Sequence, residues 1–306
     1  MDKSAWMPTA GWRFGVSLVA ALILAGGVAP NGQIQYLAGQ NIAPDYQGWE
    51  PNSDGSFEMV FGYMNRNFEE HLYIPIGPNN NIEPGGPDRG QPTYFLPRRN
   101  RNIVRIRVPA DFGNKELVWT VTANGKTERA YGTLKADYAH DKRVQYLNYS
   151  GISQVGRAER NEAPVVSIEG AKPRTATVGE PVTLSAIATD DGIPAPRPAP
   201  RGAVGFRSSV GLRVAWFVFR GPGNGVTFDP EQFKVYPDAM TEGGNSPWSP
   251  GWAPPPLPKD NRFPVKVTFG EPGTYVVRVL AHDGGYETAQ DVTVTVQPAA
   301  GRAAAR

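Results

Sequence analysis

Glu271-Pro272-Gly273-Thr274-Tyr275-Val276-Val277-Arg278-Val279, followed by His282-Asp283-Gly284, is the stretch on which the fold turns. Tyr275, Val277 and Val279 alternate with Thr274, Val276 and Arg278, the period of a strand with one face toward a core. Pro-Gly opens the run and Asp-Gly closes it, both turn formers. Further strands surround it in the sequence. Leu184, Ala186 and Ala188 alternate upstream, Trp216 sits between Val214 and Val218, and Val292-Thr293-Val294-Thr295-Val296 follows.

In immunoglobulin-like sandwiches an aromatic on a central strand fills the core, and a Tyr near the start of a later strand forms a hydrogen-bonded corner. Trp216 and Tyr275 take these places, and Ala186 and Val277 stand about where antibody domains carry their bridging cysteines. Together with Ala163-Pro164-Val165-Val166-Ser167-Ile168, Val178-Gly179-Glu180-Pro181-Val182-Thr183 and Thr189-Asp190-Asp191-Gly192, this order resembles a PKD domain, a family of Ig-like sandwiches common in exported bacterial proteins. The resemblance implies a PKD-like sandwich over residues 163–297. Two insertions depart from that pattern. Ile193 to Gly202 (IPAPRPAPRG) and Asp238 to Pro258 are stiffened by proline, and the second carries Trp248 and Trp252.

The first half also reads as β. Ser56 to Tyr63 alternates after the Asn52-Ser53-Asp54-Gly55 turn, with Tyr46 to Glu50 as its hairpin partner. His71 to Ile76 is a short edge strand interrupted by Pro75, and Gly77 to Pro92 is a loop. Ile103 to Val108 is a strand, and Asn124-Gly125 marks a type I′ hairpin between 117–123 and 126–133. The order of motifs from Phe61-Gly62-Tyr63 to Phe95-Leu96-Pro97-Arg98-Arg99 resembles an uncharacterised β-module of bacterial secreted proteins, which implies a second sandwich and no activity. The expected architecture is therefore all-β: two Ig-like β-sandwich domains, 42–136 and 163–297, joined by a linker at 137–162, with a disordered tail at 298–306.

The 306 residues include 35 Gly and 30 Pro, a turn-rich composition. A net charge of +2 gives no global attraction to nucleic acid, and no nucleic-acid partner is expected. Cysteine is absent, so a disulfide framework, a thiolate metal site and a lipidated N-terminal cysteine are excluded too. Lys3 and Arg13 precede the apolar run Phe14 to Ala25, and small residues Gly26, Gly27 and Ala29 follow. This describes a secretory signal within residues 1–33, leaving no span after cleavage, or an N-terminal anchor if it is uncut. The expected location is periplasmic, cell-surface or extracellular.

Three residue groups carry candidate chemistry, each with a plainer structural explanation beside it. Asp190 and Asp191 end one strand and Asp283 another, and in an Ig-like sandwich these ends emerge together; they either hold Ca²⁺ or build Asx-Gly turns. Trp248 and Trp252 either stack on sugars or fold back over the second apolar face of the Trp216 strand, Ala215, Phe217 and Phe219. Arg98, Arg99 and Arg101, continued by Arg105 and Arg107, either meet an anionic partner or guard a strand edge. His71, His140 and His282 lack the spacing of a zinc-protease helix, and no nucleophile elbow, P-loop or dinucleotide fingerprint is present. The sequence thus points to a non-catalytic exported binding or structural protein without a cofactor other than a Ca²⁺ ion, acting on an envelope protein or polysaccharide. The alternative is a carbohydrate-binding accessory protein; oligomeric state is left open.

Overall fold

A computed structural model describes residues 36–145, 160–170, 172–196, 211–232 and 257–299, all within one compact unit, Gln35–Arg306. The signal segment, Trp248 and Trp252, most of both insertions and the end of the tail lie outside the described residues.

Among the described residues the first half builds two facing three-stranded sheets. Strand β1 (Ile42–Pro51) pairs antiparallel with β2 (Phe57–Asn65), which pairs with β6 (Arg98–Val108). The second sheet orders β4 (Asn80–Glu83), β7 (Leu117–Ala123) and β8 (Lys126–Gly132). Asn124 and Gly125, both at positive φ, close the β7–β8 hairpin as the Asn-Gly pair demands. Aromatic rings fill the space between the sheets. Tyr63 lies edge-on to Phe95 at 4.9 Å, and Phe61 lies edge-on to Trp119 at 6.2 Å. Gly132 fits under this cluster because a Cβ there would stand 2.7 Å from the Phe61 ring.

Two local expectations change. His71 to Ile76 contributes only β3 (Leu72–Tyr73), paired with β5 (Tyr94–Phe95). The Gly77 to Pro92 segment contains β4, because Asn80 is fully buried and donates to the carbonyls of Ile74 and Pro92 while accepting from Trp119 Nε1. A buried Asn with every polar group engaged anchors a strand that hydrophobic periodicity does not reveal. Beyond β8 the chain continues along β1: a 3₁₀ turn, Ala136–Tyr138, leads to buried His140, whose N–H donates to the Trp49 carbonyl at 2.8 Å.

The second half has immunoglobulin-like connectivity. One sheet orders β13 (Thr227–Asp229), β14 (Arg262–Thr268), β11 (Pro181–Thr189) and β9 (Val165–Ile168). The other orders β10 (Arg174–Thr177), β16 (Glu287–Gln297), β15 (Gly273–His282) and β12 (Arg213–Arg220). In the lettering of Ig domains these are D-E-B-A and A′-G-F-C, and β10 runs parallel to the last strand, as an A′ strand does. Trp216 is buried with its indole N–H donating to the Phe263 carbonyl of the opposite sheet. Tyr275 makes the corner: its hydroxyl donates to the Glu271 carbonyl four residues upstream at 2.9 Å. Ala186 and Val277 are both fully buried, so packing replaces the bridge.

Strand β12 is buried on both faces over Arg213 to Phe219, and its outer side meets the first half of the chain. Thr93 N–H donates to the Phe219 carbonyl at 3.1 Å, and Gly221 N–H donates to Thr93 Oγ1 at 3.0 Å. Arg220 forks onto both carboxylate oxygens of Asp88 and donates through Nε to the Gln91 carbonyl. Arg278 lies 3.5 Å over the Phe219 ring, donates to the Ile103 carbonyl at 2.6 Å, and grips Asp291 through two nitrogens. Its guanidinium thus combines a charge-assisted fork, a cation–π contact and a backbone bond in one mostly buried position. Replacing Arg278 with Ala is expected to lower stability by about 2–4 kcal/mol, because it leaves the Ile103 carbonyl and Asp291 without that donor and uncovers Phe219. Arg278→Lys should recover less than half of the loss, since an ammonium offers neither fork nor flat face. Urea unfolding of the three proteins measures it.

Candidate functional site

The arginine run of β6 is engaged within its own sheet. Arg99 pairs with Asp45 at 3.5 Å, Arg105 with Glu50 at 2.7 Å, and Arg107 with Asp54 across the sheet. Arg98, in the left-handed region at φ 61°, lies 4.0 Å over the Phe68 ring and donates to the Arg66 carbonyl. Arg101 is a half-buried residue of β6 that also makes contacts of its own. The acidic residues of β1 and the β1–β2 turn therefore answer the cationic face, a pattern hidden in the sequence because the partners lie some fifty residues away. Glu50 joins a second donor, buried His140, at 3.1 Å. Burial pushes the Glu50 carboxyl up, but the bonds from His140 and Arg105 outweigh it and hold the group below its ordinary value.

The aspartates fall into two kinds. Asp191 is exposed, and both of its oxygens serve the local backbone: Oδ1 accepts from Ile193 N–H at 2.8 Å and Oδ2 from Glu162 N–H at 3.0 Å. Asp190 and Asp283 come together at the ends of β11 and β15. Asp283 is fully buried; its Oδ1 accepts from Gly285 N–H at 2.5 Å and Tyr286 N–H at 2.7 Å. Asp190 Oδ2 accepts from Gly192 N–H at 2.9 Å. The other oxygen of each, Asp190 Oδ1 and Asp283 Oδ2, is buried without a hydrogen bond.

Asn161 completes the cluster, and periodicity and spacing gave no sign of it because it lies in a polar stretch that reads as linker. It is fully buried beside the Asp283 carboxylate, and neither its Oδ1 nor its Nδ2 makes a hydrogen bond of good geometry. Among the described residues no three His, Cys, Asp or Glu side chains converge, so the expected trio of Asp190, Asp191 and Asp283 does not assemble as such. Two carboxylates and an amide meet instead. The nearby ring of His282 faces Arg213, whose Nη2 is 3.0 Å from Nδ1, and both residues are buried.

Burial pushes the Asp283 carboxyl up to about 6; backbone bonds from Tyr286 and Gly285 and the Asn161 amide oppose this, and the Asp190 charge adds to it. Asp190 is raised as well, first by burial and then by Asp191 against the Gly192 bond.

No family model matches this chain, and no curated protein matches it. Solved structures with partial likeness include intimin, titin and S-layer protein domains. The D00-D0 domain of intimin aligns at a TM-score of 0.24 and 10% identity, covering 83% of this chain and 99% of that one. Titin Ig tandem domains A164-A165 align at 0.21 and 8% identity, covering 85% and 100%. Domains 4 and 5 of the S-layer protein SbsC align at 0.20 and 12% identity, covering 60% of this chain and 65% of that chain. The immunoglobulin-like description of the second half rests on its strand order. Among the described residues no helix is long and apolar enough to cross a membrane.

A carboxyl raised in the folded state binds its proton more tightly there than when unfolded, so its ionisation lowers stability as pH rises from about 4 to about 6. In chelator, Asp283→Asn is expected to be more stable than the parent at pH 7.5 by roughly 1–3 kcal/mol and to match it below about pH 3.5. Asn keeps the Oδ1 acceptor for Gly285 and Tyr286, and its amide can donate toward Asp190 Oδ1. Chemical unfolding of both proteins across that pH range is the measurement, and a difference independent of pH would contradict the assignment.

Proposed function

We propose that this chain is an exported, non-catalytic binding protein of the cell envelope or surface, in which two sandwich modules, 42–136 and 163–297, are fastened into one support for the connections at their ends. The second module is of the PKD kind, and residues 1–33 direct export. The observation that carries this reading is the seam between the modules, formed by Asp88 with Arg220, Thr93 with Phe219 and Gly221, and Arg278 with Ile103 and Phe219. Arginines there, and on β6, are directed at neighbouring carboxylates and carbonyls. Such chemistry builds a rigid scaffold, and recognition then belongs to the loops between strands, as scaffold-borne loops commonly carry it.

Expression of the full chain with a C-terminal tag in a bacterial host tests the proposal. The protein is expected in the periplasm or medium, shortened by about 30 residues in intact mass. Full-length protein confined to the cytoplasm would overturn it. The exported protein on a glycan array separates the two binding modes. Glycan binding abolished by Trp252→Ala would replace an envelope-scaffold role with the carbohydrate-binding one.

A further inference from the structure

Three segments meet at one end of the second sandwich. Strand β11 ends at Thr189 and leads into Asp190, β15 ends at His282 and leads into Asp283, and the chain before β9 brings Asn161. The register holds them together, since Val165 at the start of β9 pairs with Thr189 at the end of β11, and Glu162 N–H is fastened to Asp191. Within this corner each aspartate is fixed on one side and open on the other. Gly285 and Tyr286 hold Asp283 Oδ1, leaving Oδ2 buried and unbonded, and Gly192 holds Asp190 Oδ2, leaving Oδ1 likewise. Asn161, fully buried, makes no hydrogen bond of good geometry through either polar atom, and its amide stands beside the Asp283 carboxylate.

An ionised carboxylate withdrawn from water without a partner is among the costliest arrangements in a protein. Here two carboxylates each leave one buried oxygen without a donor, and the like charge of Asp190 acts on Asp283. A cation accepting oxygen donors from several directions at once would relieve such a corner.

We propose that Asn161, Asp190 and Asp283 form a binding site for one hard divalent cation of the calcium type, through Asn161 Oδ1, Asp190 Oδ1 and Asp283 Oδ2. The donors are all oxygen, which selects against zinc and the softer transition metals. Three protein oxygens at a junction of loops suit Ca²⁺, which accepts 6 to 8 oxygens in irregular geometry and fills the remainder with carbonyls and water; Mg²⁺ demands a regular octahedron. Asp191 is a turn and capping residue beside the site and supplies no ligand. The ion ties the segment that enters the second sandwich, through Asn161, to the ends of β11 and β15. This goes beyond the envelope-scaffold reading and stands without it.

The test is thermal melting of the purified protein in chelator, in about 1 mM CaCl₂ and in about 1 mM MgCl₂, a range where extracellular calcium modules are occupied, with isothermal titration of Ca²⁺ for stoichiometry. Calcium is expected to raise Tm by several degrees with one ion bound per chain, and magnesium to raise it less. Asp283→Asn and Asn161→Ala should each abolish the calcium shift, whereas Asp191→Asn should retain it. Asp283→Asn keeps the acceptor for the Gly285 and Tyr286 amides, so a folded variant is available even if Asn161→Ala fails to fold. An unchanged Tm with no titration heat would overturn the proposal and leave the corner to a bridging water. A calcium shift that survives Asp283→Asn would overturn it too, by placing the ion elsewhere.

Discussion

The rest of the structure depends on strand β12 being apolar on both faces. Val214, Trp216 and Val218 belong to the interior of the second sandwich, which leaves Ala215, Phe217 and Phe219 pointing away from it. An Ig-like sheet with one wet face would put that row in water. At Phe219 the cover comes from Arg278 on the adjacent strand and from the Thr93 segment of the other half. The two halves are consequently joined through a sheet face, a broader contact than a flexible tether would make. Gly223 is part of the same fit, because a Cβ there would lie 2.6 Å from the Tyr94 ring.

Around its aromatic core the first sandwich also encloses a set of asparagines. Asn65, Asn67, Asn80 and Asn100 are all completely buried. Asn65 donates to the Glu70 carbonyl and accepts from both Asn67 nitrogens, and Asn100 donates to Leu96, Pro97 and Arg98 carbonyls. These amides replace backbone partners where the chain leaves regular pairing, notably at the bulge of β6 where Asn102 takes positive φ. Each is costly to remove, since its loss strands several buried carbonyls at once.

How much of this was legible follows from which signals are local. The β7–β8 hairpin, the Tyr275 corner and the Trp216 strand announce themselves through turn chemistry and alternation within a few residues. Strand β14 does not: Arg262-Phe263-Pro264-Val265 carries a proline that argues against a strand. It is tolerated because β13 pairs only with Asp229↔Lys266 through Thr227↔Thr268, leaving β14 an edge on that side at Pro264. Strand β10 is short and polar, and only its parallel pairing with β16 makes it a strand. For the candidate site, Asp190 and Asp283 were visible because strand ends can be placed by topology. Asn161 was not, since nothing in a polar stretch marks which residue will be enclosed.

Arg278, within β15, and Asp283, just past its end, show two outcomes of enclosing a charge, five residues apart. Arg278 satisfies its guanidinium with Asp291, the Ile103 carbonyl and the Phe219 ring, so its burial holds surfaces together. Asp283 satisfies one oxygen with two amides and leaves the other facing Asn161 and a second carboxylate, so its burial is an unfinished coordination. A chain that needed only the Asp-Gly turn would be served as well by Asn, which supplies the same acceptor to Gly285 and Tyr286 without the charge. The charge at that position therefore has to be understood through what it faces, and what it faces is the Asn161 amide and a second carboxylate, Asp190.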